Sequence, residues 1–591
     1  MKIKHYFGLA VIAAMTVSCS SNDELVNGGN GSGVNESGAS YASITIDLPT
    51  TSGTRAITND LFDGGTASEY AVNDATLLIF EKDGSSENDY KFVETAQLGN
   101  LEPWKKDNIT ENGITTEATI TAKLEKATVG NNNYYALVIL NNKDKNDADK
   151  VTLPTGTTTY GEWNVATNAT ETKLVDNTKG FYMANAPEFK ASDQEPTTLV
   201  QIKGIYRTKE EAHSQPGTTV HVERGLAKVT VESNSSRDYF AATGANATGT
   251  NYNSDKVIIT NWALDVTNKS SFPVHVTAGL KGGLTSTVQN VPAYTDIWKD
   301  AAATTGTAPA TSRFVSHPSV SGAFKRVYWG IDPNYSMDLS DVAKCKAQFT
   351  IAKTDGTDAN WTESSKALYC LENTFDIKNM LQGQTTRVLL KATYTPNALA
   401  SATDKTFFMI GNSSDIWTMD NLKKQIESKA KDALHTTNTL KVELNGDLLK
   451  GGTHFLTIEN VSIKDGETEK VDATLVATLN SKLGLDVTNG VGIKTYENGK
   501  SYYIARIKHF GDDLTPWNAG EAYGNDNLKY LGRYGVLRNN WYDLTINSIS
   551  GPGYPDVPEV KPDTPDDEDT KYISVNVKIL DWAKRSQDWD L

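Results

Sequence analysis

Along most of this chain, apolar and polar positions alternate with a period of two, in short runs. Residues 41–48 (YASITIDL) place Ala42, Ile44, Ile46 and Leu48 on one face. Residues 117–124 (EATITAKL) do the same with Ala118, Ile120, Ala122 and Leu124. Such alternation predicts half-buried β-strands. Residues 75–81 (ATLLIFE) and 135–140 (YALVIL) are continuous apolar runs, suited to the core of a sandwich. Further strands are predicted at 220–223, 226–232, 256–260, 326–330, 347–351, 386–394 and 502–508, and within 533–549. One segment breaks the period. In residues 418–434, Leu422, Ile426, Ala430 and Leu434 recur every four positions, and Thr418 is placed to cap the N-terminus. That pattern predicts a helix, inserted in the sandwich. The expected fold class is all-β with minor helical insertions.

The last run is residues 572–580 (YISVNVKIL), with Ile573, Val575, Val577 and Ile579 on one face. It follows residues 551–570, which hold five prolines and seven acidic residues. Proline and charge together predict a solvated, extended spacer. Twenty extended residues reach on the order of 60 Å, at ~3.1 Å per residue. A strand on such an arm lacks a local partner, so a distant one is expected, on another molecule.

A chain of 591 residues exceeds a single core. The patterning divides it into residues 1–18, a signal peptide, and 19–55, a tether with the first strand. Residues 56–225 form a first β domain and 226–550 a second, with the helical insertion. Residues 551–571 are the spacer, and 572–591 the last strand and tail. The net charge of −16 argues against nucleic acid and anionic membrane surfaces as partners.

The N-terminus carries Lys2 and Lys4, then an apolar stretch, residues 7–17, too short to span a bilayer. Ser18 and Cys19 follow. This resembles a bacterial lipobox, with Thr16 where leucine is commonest. It predicts cleavage before Cys19 and lipidation of that residue. An ordinary signal peptide with an incidental cysteine is the alternative. A Ser/Asn/Asp-rich tether at 20–40 favours the lipoprotein, and residues 20–24 (SSNDE) resemble an acidic surface-export signal. Cys345 and Cys370 are left for the body. In an oxidising compartment they could pair; two free buried thiols are the alternative.

Motifs for catalysis are missing from the sequence. It contains no phosphate loop, no G-x-G-x-x-G opening a helix, no H-E-x-x-H and no G-x-S-x-G. An enzyme is not expected, nor is a cofactor. Residues 144–149 (DKNDAD) suggest calcium, but Asp149 and Thr155 stand where an EF-hand loop needs Gly and Glu. A solvated acidic turn is the expectation, and no metal site is assigned. Trp262, Trp329, Trp361 and Trp541 could form a sugar-binding platform, but core packing is expected.

The two end strands carry a mechanism together. Both are short, alternating and joined to a body by loop-like sequence. Just after the first lies Arg55-Ala56, in a Ser/Thr/Gly stretch open to a protease. If residues 41–48 fill an apolar groove of the first domain, a cut after Arg55 would release Ile44, Ile46 and Leu48. The groove would expose apolar surface and unpaired backbone. The last strand of another copy could then fill it by strand addition. Repeated head to tail, the contact does not close, and it builds a filament.

The chain resembles the fimbrillins, the major pilus subunits of Bacteroidales (type V pili), above all the group with a fimbrillin-type C-terminal domain. The residues that carry the resemblance are the lipobox at Cys19, GTASEYAVNDATLLIF (65–80), VERGLAKVTVE (222–232), YCLENTF (369–375) and TTRVLLKATYTP (385–396). GRYGVLRNNWYDLTINSISGPG (532–553) and YISVNVKILDW (572–582) complete it. The resemblance implies two transthyretin-like β-sandwich domains plus an extended C-terminal donor strand. It implies export as an outer-membrane lipoprotein, cleavage by an arginine-specific protease between Arg55 and Ala56, and transfer to a surface fimbria. Donor function maps onto Ile573, Val575, Val577 and Ile579. The implied partners are further copies of the chain and accessory fimbrial subunits. The implied roles are adhesion and biofilm. Rival readings are an accessory or tip subunit, and a carbohydrate-binding surface lipoprotein.

Overall fold

The computed structural model describes residues 38–48, 62–63, 65–99, 101, 117–188, 196–232, 239–240, 252, 254–277, 326–327, 329–364, 366–375, 377–510, 515, 517, 530–569 and 573–582. Within them the fold is mainly β-sheet with short helices. The first core is a curled sheet. Its strand order is Lys91–Gln97, Ala75–Glu81, Tyr134–Leu140, Met183–Asn185, Thr218–Arg224, Ser40–Asp47, Glu117–Leu124. One face of the curl closes on itself. Leu77, Ile79, Ala136 and Val138 meet Ile44, Ile46, Ile120 and Val220.

The continuous apolar runs at 75–81 and 135–140 have their cause on the opposite face. There Leu78, Phe80, Leu137 and Ile139 pack on Tyr160, Trp163 and Phe181, and on Leu226, Val274 and Leu371 of the second domain. Strands covered on both sides cannot alternate.

The second core lies between two sheets. One runs Leu368–Leu371, Leu226–Glu232, Asn540–Ile549, Ile573–Trp582, Phe62–Asp63; the other runs Tyr239–Phe240, Lys256–Asp265, Arg387–Thr395, Lys500–Arg506. Val229, Val231, Leu544 and Ile546 from the first face Val257, Trp262, Leu390 and Tyr503 from the second. Between Arg387–Thr395 and Lys500–Arg506 sits the insertion. It is larger than its helix. Helix Met419–Leu434 is joined by a second helix, Ala473–Lys482, and by short strands from Phe407–Ile410 to Ile493–Tyr496. Leu422, Ile426 and Ala430 enter its own core with Leu475 and Leu479. Thr418 caps the helix by accepting from the Asn421 N–H.

Two local expectations change. Of residues 326–330, the described ones form no extended strand: Arg326 and Val327 are bridge residues, Arg326 opposite Glu188, and Trp329 and Gly330 are irregular. Residues 347–351 are the end of helix Val342–Gln348 and a two-residue strand, Phe349–Thr350. Asp341 starts that helix by accepting from the Lys344 N–H. Cys345 and Cys370 are free, and each is buried in a different apolar cluster. Burial pushes the Cys345 thiol up to about 11, and the Cys370 thiol up as well. Neither thiol reacts readily in that state.

The largest correction concerns residues 551–567. They do not extend as a free arm but lie across the outer face of the four-stranded sheet. Tyr554 and Tyr502 exchange backbone hydrogen bonds of 2.9 and 2.8 Å, and Val557 packs on Leu389, Tyr502 and Ile504. Val560 joins Val266, Leu339 and Phe349. Two of the acidic residues expected to solvate the arm, Asp566 and Asp567, instead pin it. Asp566 is fully buried, 2.9 Å from Arg506, and accepts from the Thr385 hydroxyl at 2.6 Å. Asp567 lies 2.7 Å from Arg533 and accepts from the Tyr534 hydroxyl. The chain then returns to its starting sheet, where Ile573 pairs with Ile549. Composition alone misleads here, because a partner cation turns a solvated charge into an anchor.

Asp566→Asn removes the counter-charge of a buried guanidinium. The expected cost is ~3–5 kcal/mol in urea unfolding of the second domain, with faster proteolysis within residues 551–567.

Candidate functional site

Strand Ser40–Asp47 is an interior strand. It pairs antiparallel with Glu117–Leu124 over its whole length, from Ser40 opposite Leu124 to Asp47 opposite Glu117. On its other edge, Ile44–Asp47 pairs parallel with Thr218–His221. Its inward side chains, Ala42, Ile44, Ile46 and Leu48, are at most 3% exposed. They are the four that alternation marks. The outward side chains are less uniform. Ser43 and Thr45 are buried, at 4% and 5%, and helix Lys209–His213 packs on the strand. Asp47 is half-buried and lies 3.0 Å from His221 Nδ1. Thr45 meets Thr119, hydroxyl to hydroxyl, at 2.9 Å. Space is tight at Gly217, where a Cβ would come within 2.2 Å of the Thr45 hydroxyl. Tyr41 and Tyr206 exchange backbone hydrogen bonds of 2.9 and 2.8 Å.

The strand therefore occupies a slot with two polar walls and an apolar floor. Emptying it would cut Glu117–Leu124 from its partner in the sheet order. Arg55, Ala56 and Cys19 lie outside the described residues.

The C-terminal strand Ile573–Trp582 is the opposite case. It does have a local partner, against the expectation from the sequence. It pairs antiparallel with Asn540–Ile549, with a bulge between Ile546 and Ser548. Among the described residues, its second edge meets Phe62–Asp63, opposite Asp581 and Trp582. In the sheet order it is next to last, and among the described residues its departure would detach just the two-residue strand Phe62–Asp63.

A buried ionic junction fixes what lies between the two strands. Glu69, fully buried, accepts from the Thr66 N–H at 2.7 Å, from Lys228 Nζ at 3.0 Å and from the Tyr369 hydroxyl. Its carbonyl accepts from Arg224 Nε at 2.8 Å. Lys228 also lies over the Trp541 ring at 3.6 Å. This ties the chain downstream of position 65 to the five-stranded sheet. Nearby, Arg326 Nε donates to Glu223 at 2.7 Å and Arg538 Nε to Glu372 at 2.8 Å. Burial, the largest single influence, pushes the Glu223 carboxyl up, but the Arg326 guanidinium, His275 and Arg538 together outweigh it. The net effect holds Glu223 down at about 2. No sequence period marks these partners. The pairs Arg326–Glu223 and Arg538–Glu372 join residues far apart in the chain.

Other candidates become structural. Trp262 and Trp329 are buried, and Trp361 packs on Tyr502. Among residues 144–149, the Asp144 N–H donates to Asp74, and buried Lys145 donates to the Lys173 carbonyl at 2.7 Å.

Residues 494–588 match the family model of the major fimbrial subunit protein type IV, fimbrillin, C-terminal region. The match covers strand Lys500–Arg506, strand Asn540–Ile549, the pinned arm and the terminal strand. The chain thus carries a fimbrillin-type C-terminal region. No curated protein is a significant sequence match. Among solved structures, the chain is similar to a candidate cell adhesion protein from Parabacteroides distasonis, at 10% identity and TM-score 0.35, over 93% of this chain and 98% of that one. It is also similar to the tip fimbrial protein Mfa3 from Porphyromonas gingivalis, at 10% identity and TM-score 0.29, over 92% and 100%.

Two outcomes are expected from this geometry. Ile44→Ala costs the full-length protein ~2–5 kcal/mol in denaturant unfolding of the curled-sheet core, and leaves the core between the other two sheets unchanged. Glu223 contributes stability fully above its unfolded value of ~4.3, lost as pH falls toward about 2. Glu223→Gln therefore flattens the acid limb of thermal stability across that window. It also lowers stability at neutral pH by ~3–5 kcal/mol, because Arg326 is left unpaired.

Proposed function

We propose that this protein is a structural subunit of a cell-surface fimbria, polymerised by donor-strand exchange. The fimbrillin-type C-terminal region supports a pilin-like role in adhesion. One observation carries the strand-exchange reading: an interior strand of the first domain comes from the segment just before Arg55, and a strand with the same four-residue apolar alternation ends the chain.

In this reading the chain is exported as a lipoprotein through Cys19 and reaches the outer membrane on its lipid. An arginine-specific protease cuts between Arg55 and Ala56. Residues 40–48 leave, and the first domain then offers an apolar slot with unpaired backbone on both walls. The terminal strand must first leave its own sheet, because the slot uses both of its edges. Its pairing within the free subunit covers a strand that would otherwise recruit partners early. Burying Ile573, Val575, Val577 and Ile579 in the next copy contributes a gross ~6–12 kcal/mol before ordering costs. Biofilm support and contacts with accessory subunits follow from a fibre of this kind.

The test is direct. The precursor is cut with an arginine-specific protease and run on gels in mild SDS. Cleaved wild type is expected to give a ladder, uncut protein a single band. The double variant Val575→Asp, Val577→Asp is expected to stay monomeric after cleavage. A cleaved wild type that remains monomeric overturns the reading, as does a double variant that polymerises equally well.

A further inference from the structure

We propose that the terminal strand enters the slot in one register and one direction. Ile573 takes the place of Ala42, Val575 that of Ile44, Val577 that of Ile46 and Ile579 that of Leu48. This rests on the strand-exchange reading and goes beyond it, since exchange alone fixes neither register nor direction.

The slot has four buried inward positions, and the donor sequence has four consecutive alternating apolar residues. The neighbours on the same face are charged, Lys571 before and Asp581 after. Sliding the donor by two residues one way puts Asp581 where Leu48 is 3% exposed; sliding it the other way puts Lys571 where Ala42 is 0% exposed. A slide of one residue turns Ser574, Asn576 and Lys578 inward and loses the whole apolar face.

Direction is set by the outward face. Reversing the donor keeps the apolar fit, but it brings Lys578 to the position of Ser43, which is 4% exposed. In the forward direction, Ser574 replaces Ser43, Asn576 replaces Thr45 and Lys578 replaces Asp47. The small polar residues go to the buried positions, and the one charge goes to the position that reaches solvent. Asparagine also has nearly the volume of threonine, which matters beside Gly217.

Charge argues the same way. Asp47 stands directly opposite Glu117, a like-charge pair across an antiparallel ladder. Such pairs are unfavourable, and opposite charges there are favourable. Lys578 at that position turns repulsion into attraction. Toward Glu117 the departing strand is thus poorly matched and the incoming strand matched, while the Asp47–His221 contact on the other wall is given up.

The test uses the full chain, cleaved and polymerised under mild oxidation. Thr119 and Thr121 on the slot wall stand opposite positions 45 and 43. The forward register predicts that Thr119→Cys with Asn576→Cys, and Thr121→Cys with Ser574→Cys, give ladders that survive boiling in SDS and collapse with reductant. Thr121→Cys with Lys578→Cys reports the reversed strand. Thr119→Cys with Lys578→Cys or with Ser574→Cys reports a two-residue slip. Wild type, whose Cys345 and Cys370 are buried and free, is the control. A charge swap gives a second readout. Glu117→Lys is expected to slow polymerisation several-fold, and Lys578→Glu in the same chain to restore it. Asn576 falls at position 45 in either direction, so polymers that cross-link through Thr121–Lys578 in place of Thr121–Ser574, or through a slipped pair in place of Thr119–Asn576, overturn the proposal while strand donation stands, as does a swap without rescue. A cleaved wild type that forms no polymer defeats strand donation itself.

Discussion

An interior β-strand carries two rows of backbone donors and acceptors, and each row needs a partner. Strand Ser40–Asp47 satisfies both walls of its slot, over eight residue pairs on one side and four on the other. Its inward side chains complete the first hydrophobic core. The first domain thus depends on a segment at its N-terminal end. A fold of this kind is complete only while that segment, or something shaped like it, is present. In the exchange proposed above, the unmet cost of an empty slot, in bare backbone and apolar surface, would make replacement favourable.

The rest of the molecule holds contacts that do not pass through that strand. Glu69 holds the following chain to Lys228 and Tyr369, and Glu223 and Glu372 hold Arg326 and Arg538 at the domain junction. Buried ion pairs of this sort add little net stability compared with a packed apolar core, but they define geometry, because each has one low-energy arrangement. The core between the five- and four-stranded sheets is also a separate cluster from that of the curled sheet. The proposed exchange at one end would not need to disturb the core between those two sheets.

The alternation at 41–48, 117–124 and 572–580 was legible because one face of each run is apolar, and period two is direct physics. The helix at Met419–Leu434 was legible for the same reason at period four, with a cap at Thr418. The arm was not. Five prolines and seven acids read as solvent-loving, and nothing local announces that Arg506 and Arg533 wait for Asp566 and Asp567. The terminal strand's pairing with Asn540–Ile549 was hidden likewise, since its partner lies beyond a long detour. Helix Val342–Gln348 could have been found from Asp341 as a cap, and Tyr160–Ala166 from the Thr159–Glu162 capping box. Long-range charge pairing has no sequence period, so it stays invisible until the chain is folded.

The pinned arm has a mechanical meaning. With Asp567 held by Arg533, only residues 568–572 lie between the anchor and the start of the terminal strand. Five extended residues span ~17 Å, not the reach of the whole arm. In a fibre joined by this strand, neighbouring subunits would sit almost in contact, with little slack to bend or twist. Tension along the fibre would pass as shear through the inserted strand's backbone ladder, and then into a buried ion pair. Such a joint yields abruptly under load rather than stretching, and the strength of that one pair would help to set where a pulled fibre breaks.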